Sequence, residues 1–103
     1  MTKYTTKKTK AFEKWLNKLR NHEAYGCISR RLDRLEDGYF GDFKRLGGGI
    51  SELRIDYGPG YRVYYTERNG LIIILLAGGD KSTQERDIVK ARKLSKEWEK
   101  NNG

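Results

Sequence analysis

The chain has 103 residues, a length that suits one compact domain and is too short for two. Lysine and arginine number 22 against 14 aspartates and glutamates, and the formal net charge of +8 favours polyanions such as nucleic acid as partners. One cysteine and one histidine exclude a disulfide, a zinc site and a Cys–His catalytic pair, and without a membrane-spanning apolar run the chain is expected to be cytoplasmic, with no membrane association, metal or cofactor.

The first half of the sequence has the apolar period of two amphipathic helices. A short polar start is compatible with an edge strand, and a first helix is predicted from about Lys8 to Arg20. A second helix is predicted after Asn21-His22, with Arg30, Arg31 and Arg34 largely outward. The apolar positions are Phe12, Trp15, Leu16 and Leu19 in the first helix and Tyr25, Ile28, Leu32 and Leu35 in the second. Together they predict a helical hairpin.

Beyond the loop at 37–42 the period changes to alternation, which predicts an antiparallel sheet. Gly58-Pro59-Gly60 marks a turn between two alternating runs. Assuming that Tyr57 faces Tyr61, the expected cross-strand pairs are Tyr57 with Tyr61, Ile55 with Val63, Leu53 with Tyr65, Arg54 with Tyr64 and Asp56 with Arg62. One face of this hairpin is therefore apolar, and the other carries two arginines and a tyrosine.

Asn69-Gly70 predicts a two-residue hairpin turn into a fully buried strand at 71–77, which Gly78-Gly79 should end. This turn places Leu75 beside Tyr64 and Ala77 beside Arg62. The expected core consists of Leu53, Ile55, Val63, Tyr65, Ile72, Ile74 and Leu76 packed against helices bearing Trp15, Leu16, Ile28 and Leu32.

Ser82 and Glu85 fit a capping box, which predicts a last helix that starts at Ser82. Its apolar stripe is Ile88, Ala91, Leu94 and Trp98. Segregated helices and antiparallel strands define the α+β class, with a two-helix hairpin packed on a curved antiparallel sheet and a C-terminal helix.

Arg54, Arg62 and Tyr64 share one sheet face by alternation, and Lys81 leaves the last strand next to Arg62. These four side chains are the candidate catalytic residues, because they suit a phosphate near a helix N-terminus. The alternative is structural: the arginines pair with Glu52 and Asp56, and Tyr64 covers a helix. Attack of an RNA 2′-hydroxyl on its own phosphate needs no metal and no protein nucleophile, so arginine and lysine could stabilise the extra charge.

Segments 41–44, 52–55, 58–65 and 75–84 resemble the addiction-module killer proteins, a HigB-like and phage Gp-like branch of the RelE/ParE toxin superfamily. The most specific are GPGYRVY at 58–64 and GGDKSTQ at 78–84. The resemblance implies one RelE-like toxin domain over 1–103 that cuts messenger RNA on the ribosome. It implies that Arg62 stabilises the scissile phosphate and that Lys81 helps on the leaving side. Arg54 stands in for the lysines that such toxins often carry on the preceding strand for proton transfer.

The resemblance further implies a cognate antitoxin, often of helix-turn-helix type, that masks the basic surface. Active relatives commonly carry a tyrosine or histidine near the C-terminal end, and this chain has neither after Tyr65. Two other functions stay open. A ParE-like toxin would use the same fold to inhibit DNA gyrase without catalysis, and a plain RNA-binding module would bind RNA without arresting growth.

Overall fold

The structure, a computed structural model, describes the backbone of residues 3–102 and the side chains of 3–101. The expected domain limits at Met1 and Gly103 lie outside the described residues. In chain order the elements are β1 (Thr5–Lys8), α1 (Lys10–Asn17), α2 (His22–Glu36), β2 (Phe43–Gly47), β3 (Ile50–Ile55), β4 (Tyr61–Arg68), β5 (Ile72–Asp80), a 3₁₀ turn (Lys81–Thr83) and α3 (Gln84–Asn102). Within this range no helix is both long enough and apolar enough to cross a membrane.

The strands form one five-stranded sheet in the order β1-β5-β4-β3-β2. Neighbours pair antiparallel, except that β1 pairs parallel with β5 at one edge. The predicted α+β class, the helical hairpin, the edge strand and the C-terminal helix are confirmed. The sheet is mixed rather than purely antiparallel, because β1, which precedes the two helices, lies parallel to the last strand, β5.

Polar caps set where the first two helices begin. Thr9 accepts a hydrogen bond from the Phe12 backbone N–H (3.0 Å), and Asn21 accepts from Ala24 N–H (3.2 Å). Each side chain satisfies a first-turn donor that has no partner within the helix. The inward position expected for Tyr25 is wrong, since its side chain is 43% exposed.

Helices cover both faces of the sheet and enclose two apolar layers. On one face, Leu53, Ile55, Val63 and Tyr65 pack against α1 and α2 as predicted. The prediction for β5 is wrong: Ile73 and Leu75 face this layer, whereas Ile74 and Leu76 belong to the layer under α3.

The β4–β5 connection explains this reversal. It has three residues, Asn69 to Leu71, rather than the predicted two, so Arg68 pairs with Ile72 instead of Leu71. Asn69 (φ 56°) and Gly70 (φ 71°) both adopt the left-handed conformation that this sequence favours. One residue more than predicted moves the first half of β5 to the opposite face, because side chains alternate along a strand.

The β3–β4 register is also shifted, by two residues. Ile55 pairs with Tyr61, so Arg54 lies opposite Arg62 and Asp56 lies outside the ladder. The predicted Asp56–Arg62 and Arg54–Tyr64 pairs are therefore wrong. An even shift preserves the faces, so Arg54 and Arg62 still share one face, now directly opposed.

Two glycines let the helices approach β5 closely. A Cβ at Gly78 would collide with the indole of Trp15 on α1, and one at Gly79 would collide with the Asp87 carboxylate on α3. The strand does not end at these glycines as expected but continues to Asp80. Their role is close packing on both faces of the strand.

We expect Ile74→Ala to lower the free energy of unfolding by about 2–5 kcal/mol, because Ile74 is fully buried beneath α3. Urea denaturation measures the loss. Val89→Ala is the matched control, since Val89 is 70% exposed on α3 and should change stability by less than about 0.5 kcal/mol. Equal effects of the two substitutions would contradict the described packing.

Candidate functional site

The centre of the site is Glu52 on β3, whose side chain is 0% exposed. Its Oε1 lies 3.0 Å from Nε of Arg54 and 3.4 Å from Nε of Arg62. Residues 52 and 54 share a face by alternation, and β4 brings Arg62 directly opposite Arg54. Like charges on facing residues repel, so the carboxylate between them stabilises an otherwise unfavourable pair.

Glu52 is also tied to the start of α3. Gln84, the first residue of that helix, donates from Nε2 to Oε2 of Glu52 at 2.8 Å. One buried carboxylate thus joins β3, β4 and α3. Burial of a charge is tolerated because several donors surround it.

The two arginines are held differently. Arg54 Nε makes a hydrogen bond to Glu52 and its side chain is 34% exposed. The side chain of Arg62 is 15% exposed. Its Nε lies 3.4 Å from Oε1 of Glu52, which makes an ion pair, but this Nε has no hydrogen-bond partner among residues 3–101. Arg62 is therefore held mainly by charge and keeps unused donors.

Lys81 is exposed and directly follows β5. The Cβ of Lys81 lies 3.6 Å from the point where a side chain on Gly60, in the β3–β4 turn, would place its own Cβ. The two residues are therefore close neighbours. Since Asp80 pairs with Tyr61, the chain brings Lys81 to the end of the sheet that bears Arg62. The expected neighbourhood of Lys81 and Arg62 thus follows from the register.

Tyr64 lies beneath α3 and is 0% exposed. Its hydroxyl has no hydrogen-bond partner within the described part of the chain. Burial raises the pKa of Tyr64, and the negative charges of Glu52 and Asp87 raise it further. The tyrosine is neutral near pH 7, and with α3 in this position its hydroxyl is out of reach of a substrate.

The helix start differs from the prediction. Asp80 rather than Ser82 is the cap: its carboxylate accepts from Ser82 N–H at 2.8 Å, and Thr83 completes the capping box. Asp80 therefore already occupies part of the N–H cluster expected to bind phosphate. A phosphate at this end would be held chiefly by side-chain cations.

A basic path continues from Lys81 along α3. Arg86 and Lys81 line one hollow of about 470 Å³, and Arg86 and Lys90 line a neighbouring groove of about 410 Å³ between α1 and α3. Lys90 and Lys93 are exposed on α3. The cationic surface therefore extends well beyond the arginine pair.

Sequence reasoning missed the central role of Glu52. The pattern placed Glu52, Arg54 and Asp56 on one face, and the expected register made Asp56 the partner of Arg62. The longer loop removes Asp56 from the ladder and leaves Glu52 beside both arginines. The structure thus resembles the structural alternative in two respects: the arginines pair with Glu52, and Tyr64 packs under a helix.

The model of the family described as "Phage derived protein Gp49-like (DUF891)" matches residues 14–97. An uncharacterized protein of Haemophilus influenzae is 53% identical over 91 residues, which cover 88% of this chain and 92% of that protein. Among solved structures, a free-state mutant of the E. coli toxin RelE matches with a TM-score of 0.68 and 14% identity, covering 86% of this chain and 97% of the RelE chain. The fold is RelE-like, and the chain belongs to the phage-derived Gp49-like family.

Proposed function

We propose that this protein is the toxin of a toxin–antitoxin pair and cuts messenger RNA on the ribosome. The observation that carries the proposal is the pair of facing arginines, Arg54 and Arg62, held by the buried carboxylate of Glu52 at the end of the sheet from which Lys81 leaves β5. The RelE-like fold and the motifs at 58–64 and 78–84 support the same function.

The proposed chemistry is attack of the RNA 2′-oxygen on the adjacent phosphorus, which forms a 2′,3′-cyclic phosphate and breaks the bond from phosphorus to the 5′-oxygen of the next nucleotide. The 2′-hydroxyl proton passes to solvent water, and the departing 5′-oxygen takes up a proton to leave as a hydroxyl. Arg62 and Arg54 stabilise the charge that develops on the phosphate oxygens, and Lys81 acts on the leaving side. Guanidinium and ammonium groups stay charged at neutral pH, so they stabilise anions well and accept protons poorly. Tyr64, with its raised pKa, cannot serve as a base near neutrality, and its assignment to catalysis requires α3 to move aside.

Such a site is a weak nuclease unless something else orients the RNA. The ribosome provides that orientation, which explains why free message would be a poor substrate. No cofactor has a role in this chemistry. The partners we propose are the ribosome with its message and an antitoxin, of helix-turn-helix type, that covers the basic surface.

The deciding experiment compares two targets. Purified protein is added to ribosomes translating a defined message, and cut positions are mapped by primer extension. In parallel, supercoiling by DNA gyrase is measured at the same protein concentration. We expect cut message and unaffected supercoiling. If gyrase is inhibited and the message stays intact, the protein is a ParE-like toxin. If it binds RNA but neither cuts message nor inhibits gyrase, it is an RNA-binding module.

A further inference from the structure

Arg54 and Arg62 face each other across β3 and β4, and a phosphate clamp requires both guanidinium groups at once. Two like charges at such positions would turn away from each other without a counter-charge. Glu52 supplies it from a position that is 0% exposed. The acid therefore lies behind the arginines rather than on the surface that a substrate would meet.

The contacts of Glu52 are selective. Both arginines approach its Oε1 through Nε, at 3.0 Å and 3.4 Å. No other hydrogen bond or ion pair of these two guanidinium groups is present among residues 3–101. The Nη nitrogens, which form the planar fork that binds phosphate oxygens, are thus left available on both side chains.

The carboxylate itself is fixed in place. Its second oxygen, Oε2, accepts from Gln84 Nε2 at 2.8 Å, at the first residue of α3. A carboxylate anchored on one side can hold two mobile arginine side chains on the other. Preorganisation of this kind favours the transition state without adding a contact to the substrate.

We propose that Glu52 is a positioning residue: it holds Arg54 by a hydrogen bond to Nε and Arg62 by an ion pair on its Nε side, and so presents the Nη nitrogens of both to the phosphodiester of RNA. This role rests on the proposed function. Glu52 contributes a negative charge near the phosphate, so it weakens ground-state binding while it aligns the donors. Binding and cleavage should therefore respond in opposite directions when the charge is removed.

The test is Glu52→Gln in the full chain, with Glu67→Gln as the matched control. Glu67 is exposed on β4, and its replacement removes the same charge without a contact to either arginine. Cleavage on programmed ribosomes should fall about 10²-fold in kcat for Glu52→Gln, with KM unchanged or lower. Glu67→Gln should keep wild-type cleavage. Loss of folded protein would instead lower cleavage and binding together.

A second measurement does not depend on the ribosome. Inorganic phosphate is titrated while the arginine side-chain nitrogens are followed by NMR. In the wild-type protein phosphate should shift the Nη signals of Arg54 and Arg62 and leave Nε of Arg54 unchanged. In Glu52→Gln the Nε signals should shift too, with phosphate bound at least as tightly.

Gln84→Ala is the second variant, for use if Glu52→Gln does not fold. It keeps the carboxylate and removes its anchor, so kcat should fall by a smaller factor, about tenfold. Wild-type cleavage by both variants, parallel loss of phosphate binding and cleavage in a variant that stays folded, or identical arginine signals in wild type and Glu52→Gln would overturn the proposal. If the wild-type protein cuts no message, the proposed function fails, and the NMR titration alone decides the role of Glu52.

Discussion

Arg62→Ala is expected to abolish growth arrest and to lower message cleavage by about 10²-fold or more. The reason is the loss of a charged donor at the phosphate, where a single well-placed donor contributes about 10²–10³ in rate. Lys81→Ala should give a similar or smaller defect. Growth on induced expression and primer extension of cellular messages are the measurements.

The variant should remain folded, which keeps the interpretation clear. Arg62 pairs with Glu52 rather than with Asp56 as the sequence suggested, and Glu52 retains Arg54 and Gln84 when Arg62 is removed. We therefore expect a loss of about 1–3 kcal/mol in the free energy of unfolding, below the cost of leaving a buried carboxylate unpaired.

Arg20→Ala is the matched control for Arg62→Ala, since it removes one positive charge from an exposed position after α1. It should leave cleavage and arrest unchanged. Folded Arg62→Ala protein that still arrests growth and still cuts message would show that Arg62 is only a structural partner of Glu52.

Affinity for RNA should fall steeply with salt, because cations that neutralise phosphates release counterions. If Arg54, Arg62 and Lys81 alone take part, affinity for single-stranded RNA falls about 20-fold between about 50 and about 200 mM salt. We expect about 300-fold, because three further cations, Arg86, Lys90 and Lys93, extend the basic path along α3.

Fluorescence anisotropy with a labelled RNA oligonucleotide measures this slope. Replacing the three α3 cations together with alanine should return the loss to about 20-fold. If the triple replacement leaves the salt dependence of RNA affinity unchanged, the α3 cations do not contact RNA. Salt-independent binding would indicate an apolar contact and would leave the charge of +8 without a role in recognition.

Much of the fold could be predicted because periodicity is a local property. Phe12 and Leu16, four residues apart, lie on the buried face of α1, and Leu53 and Ile55 alternate into the core. Turn lengths are less determined by sequence. Asn69-Gly70 predicted the turn in the right place, but the loop also includes Leu71. This one extra residue places Ile73 on the face that was predicted for Ile74, and Ile74 on the opposite face.

For the candidate site, the sequence predicted which face of the sheet carries the arginines but not the contacts that hold them. The arginines could be assigned to one face because the β3–β4 shift was an even number of residues. Their partner depended on the exact register and on Gln84, which reaches Glu52 from 32 positions away. The burial of Tyr64 likewise depended on where α3 docks, and α3 docks where Gly79 admits Asp87. None of these distances is encoded in a local pattern.

The central claim is that the RNA 2′-hydroxyl is the nucleophile and that the arginines stabilise the phosphate on the ribosome. The most direct measurement uses programmed ribosomes and two messages that differ only by a 2′-deoxy nucleotide at the mapped cut. We predict that wild-type protein cuts the all-ribose message and leaves the deoxy message intact, because the attacking group is missing. Equal cutting of both messages would contradict the account.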